Sequence, residues 1–324
     1  MKAVVRHVYG PPAVLAVQET EPPELTEDRV LVRVHAAAVN PVDRYEMLGL
    51  PYLVRASAGW RRPRQPLIGS DFAGTVEAVG AAVTGFRVGD EVFGCSAGTF
   101  AELARVRGDG AVALKPSNLS FVEAAAVPIA ALTALQALRD HGRLEPGQRV
   151  LINGASGGVG TFATQLAKAF GAHVTGVCGP TNVDLVRSLG ADRVVDYSAE
   201  DFTRGGDRFD LVVDIAGNRR WADCRRVLTA RGTMVMVGGA KGGRVLGPIA
   251  DVAGVVLRGM ASRRRVVFLL RRPAPGGPAD LASHAGGRHG RPVVERTYAM
   301  GEVAQAMTHL GTGHAKDKLV LTIP

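Results

Sequence analysis

The chain has 324 residues, of which 46% are hydrophobic and only 5% are aromatic. Because this length exceeds what one hydrophobic core usually spans, and because Gly and Ala are abundant, we expect two domains with tightly packed α/β layers. No apolar run approaches the ~20 residues of a membrane span, and the first residues lack the apolar region of a signal peptide. We therefore expect a soluble, cytoplasmic protein that does not enter a membrane.

The net charge of +9 and the three cysteines indicate neither a nucleic-acid partner nor a metal centre. The basic residues are scattered, without interleaved aromatic residues or a recognition motif, so nucleic-acid binding is not expected. Cys95, Cys178 and Cys224 are widely separated and lack Cys-x-x-Cys spacing, which argues against a disulfide framework or a cysteine-rich zinc site. Three arginines between positions 61 and 64 lie in a loop with Gly and Pro, where they can attract anions.

The first third of the chain is typical of strands joined by loops. Apolar or alternating runs predict strands over Lys2–Tyr9, Val30–Val39, Phe72–Val79 and Phe100–Val106. Pro-Pro pairs and Gly-containing turns separate these runs, and little helical periodicity is present. We therefore predict a mostly antiparallel sheet with one face partly exposed.

At Ser120 the pattern changes to that of a helix. Ser120 and Glu123 have the S-x-x-E spacing of a capping box, in which each residue satisfies a free backbone N–H at the start of a helix. An Ala-rich segment follows to about His141. Pro128 lies inside it and should break or kink the helix, because proline lacks an N–H donor and crowds the preceding turn.

From Gln148 onward, strands and helices alternate. The predicted strands are Arg149–Asn153, His173–Cys178, Arg193–Asp196, Phe209–Ile215 and Thr233–Val237, and the predicted helices are Thr161–Phe170, Val183–Leu189 and Trp221–Leu228. This alternation predicts βαβ units and a parallel sheet with right-handed crossovers. The nearly continuous apolar strands indicate a sheet that is covered on both faces.

The last stretch predicts a strand over Val293–Tyr298, a helix over Glu302–Leu310 and a strand over Lys318–Ile323. We expect this stretch to fold back onto the first domain. The predicted division is therefore residues 1–122 with 293–324 in one domain and residues 123–292 in the other. Between about Pro273 and Arg291 the sequence is rich in Gly and Pro, which predicts a loop, and His284 and His289 in it are not expected to bind metal.

The strongest local signal is the glycine-rich sequence NGASGGVGTFATQLAK, which lies between a predicted strand and a predicted helix. Gly157 leaves room where the backbone approaches a pyrophosphate, and Gly160 allows the helix to pack closely on the strand. The start of the helix offers free N–H groups and a partial positive charge to phosphate. Ala155 stands where the usual pattern has its first glycine. We predict dinucleotide contacts from Ala155, Ser156, Gly157, Gly158, Val159 and Gly160.

The second strand of this unit bears on the choice between NADPH and NADH. It ends at Cys178, and Gly179, Pro180, Thr181 and Asn182 follow. An NAD enzyme usually has an acidic residue near this point, which accepts hydrogen bonds from the ribose 2′-hydroxyl. No carboxylate is present here to repel a 2′-phosphate. We therefore predict NADPH as the cofactor, with NADH as a weaker one, and contacts from Cys178, Thr181 and Asn182.

Several motifs in the same order make the sequence resemble the medium-chain dehydrogenase/reductase superfamily, and more closely its zinc-free quinone oxidoreductase branch. These motifs are AAAVNPVDRYEMLG, PLIGSDFAGTVEAVG, GDEVFG, FAELARV, AAAVPIAALTALQAL, NGASGGVG, LGADRVVDY and KLVLTIP. The resemblance implies an α/β protein with a GroES-like, mostly antiparallel β-barrel domain and a Rossmann domain with a doubly wound parallel sheet.

The resemblance also bears on zinc. The zinc alcohol dehydrogenases of this superfamily hold a catalytic metal through a Cys, a His-Glu pair and a further Cys or His. The matching positions in this chain carry Asn40, Ser70 with Asp71, and Ile129. Asn and Ile offer neither the thiolate nor the imidazole that zinc favours, and the four-cysteine structural lobe is missing. We therefore expect no metal.

In the quinone reductase branch, an Asn-x-x-Asp-x-Tyr segment lines the active cleft, and this segment matches Asn40, Asp43 and Tyr45. The resemblance implies catalytic roles for these three residues, such as hydrogen bonds to a developing oxyanion. Each residue also has a structural interpretation. Asn40 can stabilise a loop, Asp43 can cap the following helix, and Tyr45 can pack against the barrel with its hydroxyl at the surface.

The resemblance adds cofactor contacts outside the glycine-rich turn. Tyr197 matches a residue beside the adenosine 2′-phosphate, and a basic residue usual near Thr181 or Asn182 is absent, so a modest NADPH preference is expected. The carboxyl ends of the strands in a parallel sheet hold its ligands, so contacts are expected from Ile215, Gly217 and Gly238. A further contact is expected from Thr133.

These inferences predict an NADPH-dependent oxidoreductase that transfers a hydride to a quinone or related conjugated carbonyl without zinc. An alkenal or enone reductase and an enoyl-thioester reductase are alternatives. A protein of another class, which binds NADPH in a structural or nucleic-acid-binding role, is a further alternative. We expect a small-molecule conjugated carbonyl or quinone as substrate and a homodimer as the assembly.

Overall fold

The computed structural model describes residues 1–237, 265–269, 290–313, 315 and 317–324. Gly238, His284, His289 and most of the Gly/Pro-rich segment lie outside the described residues. The chain divides into two compact units, Met1–Leu132 with Pro273–Pro324, and Thr133–Arg272. The first boundary falls later than the expected residue 122, because the helix that follows Ser120 packs on the strands of the first unit.

The strands of both units follow in chain order. They are β1 (Lys2–Val5), β2 (Ala16–Glu19), β3 (Arg29–Val39), β4 (Asp71–Val79), β5 (Glu91–Cys95), β6 (Leu103–Arg107), β7 (Val112–Leu114), β8 (Arg149–Asn153), β9 (His173–Cys178), β10 (Arg193–Asp196), β11 (Phe209–Asp214), β12 (Leu228–Met236), β13 (Arg265–Phe268), β14 (Val294–Ala299) and β15 (Lys318–Thr322). Most lie within a few residues of the prediction. β1 is shorter than expected because its pairing with β2 ends at Val5.

The helices are α1 (Pro41–Leu48), α2 (Arg55–Ala58), α3 (Phe121–Ala125), α4 (Pro128–Leu135), α5 (Gly158–Ala169), α6 (Val183–Ser188), α7 (Trp221–Arg226) and α8 (Val303–Gly311). Short 3₁₀ turns cover Pro12–Val14, Tyr52–Val54, Pro180–Asn182 and Met300–Glu302, and a π-helical turn covers Gln136–His141. None of the described helices combines the length and the apolar character that crossing a bilayer requires.

The first unit is built on a seven-stranded sheet in the order β14-β15-β3-β4-β5-β7, with β6 also paired to β3. Every pair in this sheet is antiparallel except β14 with β15, which α8 connects. In β3, Val30, Val32 and Val34 are buried while Arg33 is exposed, as expected for a strand with one face in the core. The predicted, mostly antiparallel sheet of this domain is confirmed.

The predicted break in the Ala-rich segment is confirmed. The amide of Glu123 donates to Ser120 Oγ at 3.2 Å, and the amide of Ser120 donates to Glu123 Oε2 at 2.9 Å, which completes the capping box. Helix α3 ends at Ala125, and Pro128 begins α4. Proline suits the first position of a helix because its missing N–H would lack a helical partner there in any case.

The second unit contains a six-stranded, wholly parallel sheet in the order β10-β9-β8-β11-β12-β13. Leu211, Val212 and Val213 in β11 are all buried, as expected of a central strand in a parallel sheet that is covered on both faces. The strand order reverses direction between β8 and β11. In open sheets of this kind, ligands bind beyond the carboxyl ends of the strands at that switch point. The predicted doubly wound domain is therefore confirmed. At its switch point, β8 ends at Asn153 and β11 ends at Asp214.

Candidate functional site

The glycine-rich turn of the second unit joins β8 to α5. Gly154 has φ +92°, in the left-handed region that side chains disfavour. Gly157 is the N-cap of α5 and has an extended backbone, with φ −87° and ψ 168°. Helix α5 has twelve residues, no acidic side chain in its first turn and no side-chain cap at Gly157. Its first N–H groups therefore point into the space before the helix with a partial positive charge.

Gly157 and Gly160 are glycines for different reasons. A Cβ added at Gly160 would lie 2.1 Å from the carbonyl oxygen of Gly154, so the packing of α5 on the turn requires a glycine there. A Cβ added at Gly157 would meet nothing closer than that same oxygen at 3.7 Å. Since the backbone of Gly157 suits any residue, packing does not explain its glycine. Close approach of a ligand phosphate does, and the turn therefore fits a dinucleotide.

The other predicted residues of the turn form its internal contacts and the start of α5. Ala155 is fully buried, and its amide donates to the carbonyl oxygen of Val177 at 2.9 Å, which ties the turn to β9. Gly158 and Val159 form the first turn of α5. The structure also brings Ser156 and Asn182 together, since Asn182 Nδ2 donates to Ser156 Oγ at 3.3 Å.

The residues predicted to distinguish NADPH from NADH lie at and near the end of β9. Cys178 is 2% exposed, and burial, helped by the nearby Asp196 carboxylate, raises the pKa of its thiol to about 11. The side chain is thus neutral near pH 7. Tyr197 is 53% exposed, its amide donates to Cys178 O at 3.1 Å, and its hydroxyl oxygen lies 3.0 Å from where a Gly179 Cβ would be. Thr181 is exposed in the adjoining 3₁₀ turn.

The switch point holds a buried polar cluster whose hydrogen bonds the sequence analysis did not predict. Asn153 Nδ2 donates to Asp214 Oδ1 at 2.8 Å and to Asn218 Oδ1 at 3.0 Å. The amide of Gly217 also donates to Asp214 Oδ1, at 3.0 Å. Burial raises the pKa of Asp214, whose Oδ2 is buried without a hydrogen-bond partner among the described residues. A polar residue at the carboxyl end of each switch-point strand was the available signal.

The remaining predicted cofactor residues fall at separate places. Ile215 and Gly217 follow β11, and the amide of Ile215 donates to Asn153 O at 3.0 Å. They therefore adjoin the Asn153–Asp214 cluster. Thr133 is buried in α4, and Gly238 lies outside the described residues.

In the first unit, Asn40 belongs to a buried polar network. Its side chain is held on three sides. Asn40 Nδ2 donates to Asp71 Oδ2 at 2.9 Å and to Ala38 O at 3.2 Å, while Lys318 Nζ donates to Asn40 Oδ1 at 2.6 Å. Asn40 is 2% exposed. Both of its amide N–H groups are therefore used inside the protein.

Asp43 is fully buried beside this network. Its Oδ2 accepts from the amide of Asn40 at 2.7 Å, which caps α1, and its Oδ1 accepts from Ser70 Oγ at 2.6 Å. Burial raises the pKa of Asp43 to about 7, more than these two hydrogen bonds lower it. Tyr45, two residues further along α1, is 50% exposed. Of the three predicted catalytic residues, only Tyr45 thus presents its side chain at the surface of this unit.

The positions that match zinc ligands do come together. Asp71 is fully buried, accepts from the amide of Ile129 at 3.1 Å, and lies 3.6 Å from Lys318 Nζ. A lysine ammonium thus provides the positive charge beside Asn40 and Asp71. Throughout the described ranges, no three His, Cys, Asp or Glu side chains are grouped so that they could hold a metal.

Lys318 was missed by the sequence analysis. It opens β15, whose next residue, Leu319, is paired with Val39 immediately before Asn40. The available signal was a lysine at the start of an otherwise apolar strand. Because 278 residues separate Lys318 from Asn40, only the pairing of β15 with β3 identifies its partner.

Comparison with known families finds two family models that match parts of the chain. A family described as the alcohol dehydrogenase GroES-like domain matches residues 26–117, and one described as zinc-binding dehydrogenase matches residues 189–321. The mitochondrial NAD(P)H oxidoreductase RTN4IP1 of Mus musculus is 33% identical over 91% of this chain and 82% of its own length. A trans-enoyl reductase of Aspergillus terreus is 43% identical over 60% of this chain and 56% of its own length.

Solved structures are similar over the full length. The quinone oxidoreductase of Coxiella burnetii has a TM-score of 0.88 at 30% identity, covering 100% of this chain and 99% of its own. The Escherichia coli quinone oxidoreductase complexed with NADPH has a TM-score of 0.82 at 25% identity, covering 100% of both chains. A GroES-like unit and a parallel sheet with a glycine-rich turn together define a dehydrogenase or reductase class of fold. The chain belongs to the quinone-oxidoreductase-like branch of the medium-chain dehydrogenase/reductase superfamily, as the motifs indicated.

Proposed function

We propose that the protein is an NADPH-dependent oxidoreductase that reduces a quinone or a related conjugated carbonyl compound without zinc. The observation that carries this proposal is the turn at Gly157, where glycine is explained by an approaching phosphate and not by packing. Family membership supports the same reaction class, since relatives are NAD(P)H oxidoreductases and quinone oxidoreductases.

The residues of the second unit have separable tasks in this proposal. The start of α5 holds the pyrophosphate, because the first N–H groups of a helix have no partner within it and no acidic side chain in its first turn opposes the phosphates. The neutral thiol of Cys178 and the exposed ring of Tyr197 accommodate the 2′-phosphate. Asp214 and Asn153 hold the backbone of Ile215 and Gly217 at the switch point. When bound, NADPH supplies the hydride, and the protein orients the acceptor.

Zinc independence rests on the donor set. Asn40 and the amide of Ile129 stand where zinc relatives have metal ligands, and neither offers a thiolate or an imidazole. Lys318 already neutralises Asp71 there with a buried ammonium 3.6 Å away. A divalent cation added to this cluster would lie against that ammonium, which disfavours binding. We therefore infer that the cluster of Asn40, Asp71 and Lys318 binds no metal, although one matching family is described as zinc-binding.

On the substrate side, we assign different roles to the three predicted catalytic residues. Asn40 and Asp43 are positioning residues, since their polar atoms are used within the network and cap α1. Tyr45 is the candidate for hydrogen bonding or proton transfer to the reduced carbonyl, because its side chain is half exposed on that helix. A conjugated acceptor is already activated and needs less electrophilic help than an ordinary ketone.

Two other acceptors fit the same residues. An alkenal or enone reductase would use Tyr45 in the same way, and an enoyl-thioester reductase is favoured by the similarity to a trans-enoyl reductase. The alternative of another class, an NADPH-binding protein with a structural or nucleic-acid-binding role, predicts cofactor binding without turnover. The expected homodimer and cytoplasmic location remain predictions.

The test is NADPH oxidation by the purified protein against a panel of quinones, alkenals and enoyl thioesters, with the Gly157→Asp variant as the control without cofactor binding. We expect turnover with at least one conjugated acceptor and none in the variant. NADPH binding without turnover of any acceptor would support the non-enzymatic alternative. A Tyr45→Phe variant should lower kcat more than it raises KM if the hydroxyl acts on the reacting carbonyl.

A further inference from the structure

A short turn in the first unit, Gly59–Arg64, is held in a defined shape by its backbone. Gly59 O accepts from Tyr9 Oη at 2.8 Å, and Gly59 N donates to Arg55 O at 2.9 Å. The amide of Arg64 donates to Ala58 O at 2.8 Å, which closes the turn. Gly59 has φ +114°, and a Cβ there would lie 2.1 Å from Arg62 O, so only glycine allows this closure. We name these six residues the basic turn.

The basic turn is fastened to the helix that carries Tyr45. Arg55 Nε donates to Gly49 O at 2.8 Å, and Arg55 Nη2 donates to Leu48 O at 3.1 Å, at the end of α1. The guanidinium carbon of Arg55 lies 4.4 Å from the ring centre of Tyr9 and 4.7 Å from that of Tyr52. Arg55 thus has a structural role. These contacts do not involve the three arginines of the basic turn itself.

Those arginines present uncompensated positive charge next to an exposed indole. Trp60 is 68% exposed, and Arg61, Arg62 and Arg64 are all exposed. No acidic residue occurs from position 51 to position 70. Within the described part of the chain, the side chains of Arg61 and Arg62 form no hydrogen bond or ion pair.

Several arginines elsewhere on the surface have carboxylate partners. Arg33 pairs with Glu77 at 2.7 Å, and Arg107 pairs with Asp109 at 2.8 Å. The basic turn differs from these surfaces because its charge lacks a counterpart while its backbone is fixed. Exposed guanidiniums on a fixed backbone, next in sequence to an exposed aromatic side chain, are suited to a planar base that carries phosphates.

We propose that the basic turn binds the nucleotide end of coenzyme A, and that the substrates include enoyl thioesters of coenzyme A. Adenine would stack on Trp60, and the phosphates would accept hydrogen bonds from Arg61 and Arg62. One indole and a few arginines in six residues match a single base with its phosphates better than a nucleic-acid strand, which needs a longer basic track. The proposal rests on the reductase function through its enoyl-thioester alternative.

Binding can be measured without turnover, using free coenzyme A and tryptophan fluorescence. The other tryptophan, Trp221, is 7% exposed, so quenching by adenine reports on Trp60, and Trp60→Phe should abolish the signal. We expect Arg61→Ala/Arg62→Ala to raise the Kd by about tenfold or more, as lost charge-assisted contacts do. The matched control Arg87→Ala/Arg231→Ala removes two exposed arginines elsewhere and should leave the Kd unchanged.

Two binding results would overturn the proposal. One is an equal Kd for coenzyme A in the wild type and the Arg61/Arg62 variant. The other is a single-stranded RNA that binds the turn more tightly than coenzyme A does, which would assign the turn to nucleic acid.

A kinetic comparison separates this proposal from the proposed function. NADPH oxidation is measured with crotonyl-coenzyme A and with crotonyl-pantetheine, which lacks the nucleotide. We expect Arg61→Ala/Arg62→Ala to raise KM about tenfold for the first thioester only, with kcat retained. If both thioesters are reduced with equal kcat/KM by the wild type, the reductase function stands and the coenzyme A site fails. If coenzyme A binds at the turn but no thioester is reduced, binding stands and the thioester substrate fails.

Discussion

At the scale of single residues, the glycine-rich turn shows that one residue type can serve two purposes a few positions apart. Gly160 is required by the carbonyl oxygen of Gly154, whereas Gly157 has free space around its α-carbon. A substitution at Gly160 therefore tests packing of the fold, and one at Gly157 tests the ligand. The comparison isolates cofactor binding from stability.

We expect Gly157→Asp to abolish NADPH binding while the chain stays folded. The new side chain has room in the protein, but it would occupy the place of the pyrophosphate and add a negative charge at the start of α5. Titration of NADPH by fluorescence measures binding, and circular dichroism checks the fold. Gly160→Ala is the contrasting variant and should lower the melting temperature. Unchanged NADPH affinity in Gly157→Asp would mean that the turn is structural only.

Cys178 is the residue at which the cofactor preference is most directly testable. We expect the wild type to use NADPH better than NADH by a modest margin, because no arginine or lysine follows Cys178 in the adjoining turn. Cys178→Asp should lower kcat/KM for NADPH by about tenfold or more and affect NADH less, since it places like charges together. Cys178→Ser serves as the uncharged control. A wild type that already prefers NADH would refute the assignment of this position.

At the scale of secondary-structure elements, α1 is held by a largely buried set of polar side chains from three parts of the first unit. Asn40 and Asp43 cap the helix, Ser70 and Asp71 precede and open β4, and Lys318 opens β15. Removing one member takes a hydrogen bond or an ion pair from a buried neighbour, which costs more than the loss of a surface contact. The orientation of Tyr45 therefore depends on residues far from it in sequence.

We expect Lys318→Met to lower the free energy of unfolding by about 3–5 kcal/mol, because Asp71 would keep a buried charge without its ammonium. Urea denaturation measures the change. The matched control is Lys168→Met, which breaks the more exposed ion pair with Asp192 and should cost ~1 kcal/mol or less. An equal loss of unfolding free energy in the two variants would show that the buried Lys318–Asp71 pair stabilises the fold no more than an exposed ion pair does.

Asp43 should make stability depend on pH in a recognisable window. Its pKa is raised to about 7 in the folded chain, so the folded state holds a proton that the unfolded state loses near pH ~4. Stability from this group is complete below that pH, falls as the pH rises toward 7, and is constant above it. The wild type should therefore lose stability relative to Asp43→Asn between pH ~4 and 7. Parallel urea-unfolding profiles across that range would contradict this.

At the scale of the whole molecule, the two units have distinct chemistry that can be tested on the intact protein. The first unit places a lysine, amides and carboxylates where zinc relatives bind metal, and the second carries the dinucleotide turn. We expect the purified protein to contain no stoichiometric zinc and to keep its NADPH-dependent activity in a chelator. Elemental analysis and activity after dialysis measure this. One tightly held zinc per chain, lost together with activity, would overturn the metal-free proposal.

Much of this protein is determined by local sequence signals. The capping box at Ser120, the break at Pro128 and the strand–turn–helix around Gly157 depend on neighbours in the chain, so their physical causes are visible in the sequence. Alternating and continuous apolar runs likewise predict strands that are exposed on one face or buried on both. These signals suffice for both domains, the family and the cofactor turn.

The contacts of the residues expected on the substrate side are visible only in the tertiary structure. Sequence reasoning left open whether Asn40 and Asp43 face a substrate or stabilise α1, and it missed Lys318 altogether. Burial and hydrogen bonding depend on which strands pair, and the pairing of β15 with β3 brings Lys318 to Asn40 across 278 residues of chain. A side chain's partners across such a distance have no local signature, because pairing, not spacing in the sequence, brings them into contact. For the same reason, only the folded chain shows that Asp43 is buried enough to raise its pKa.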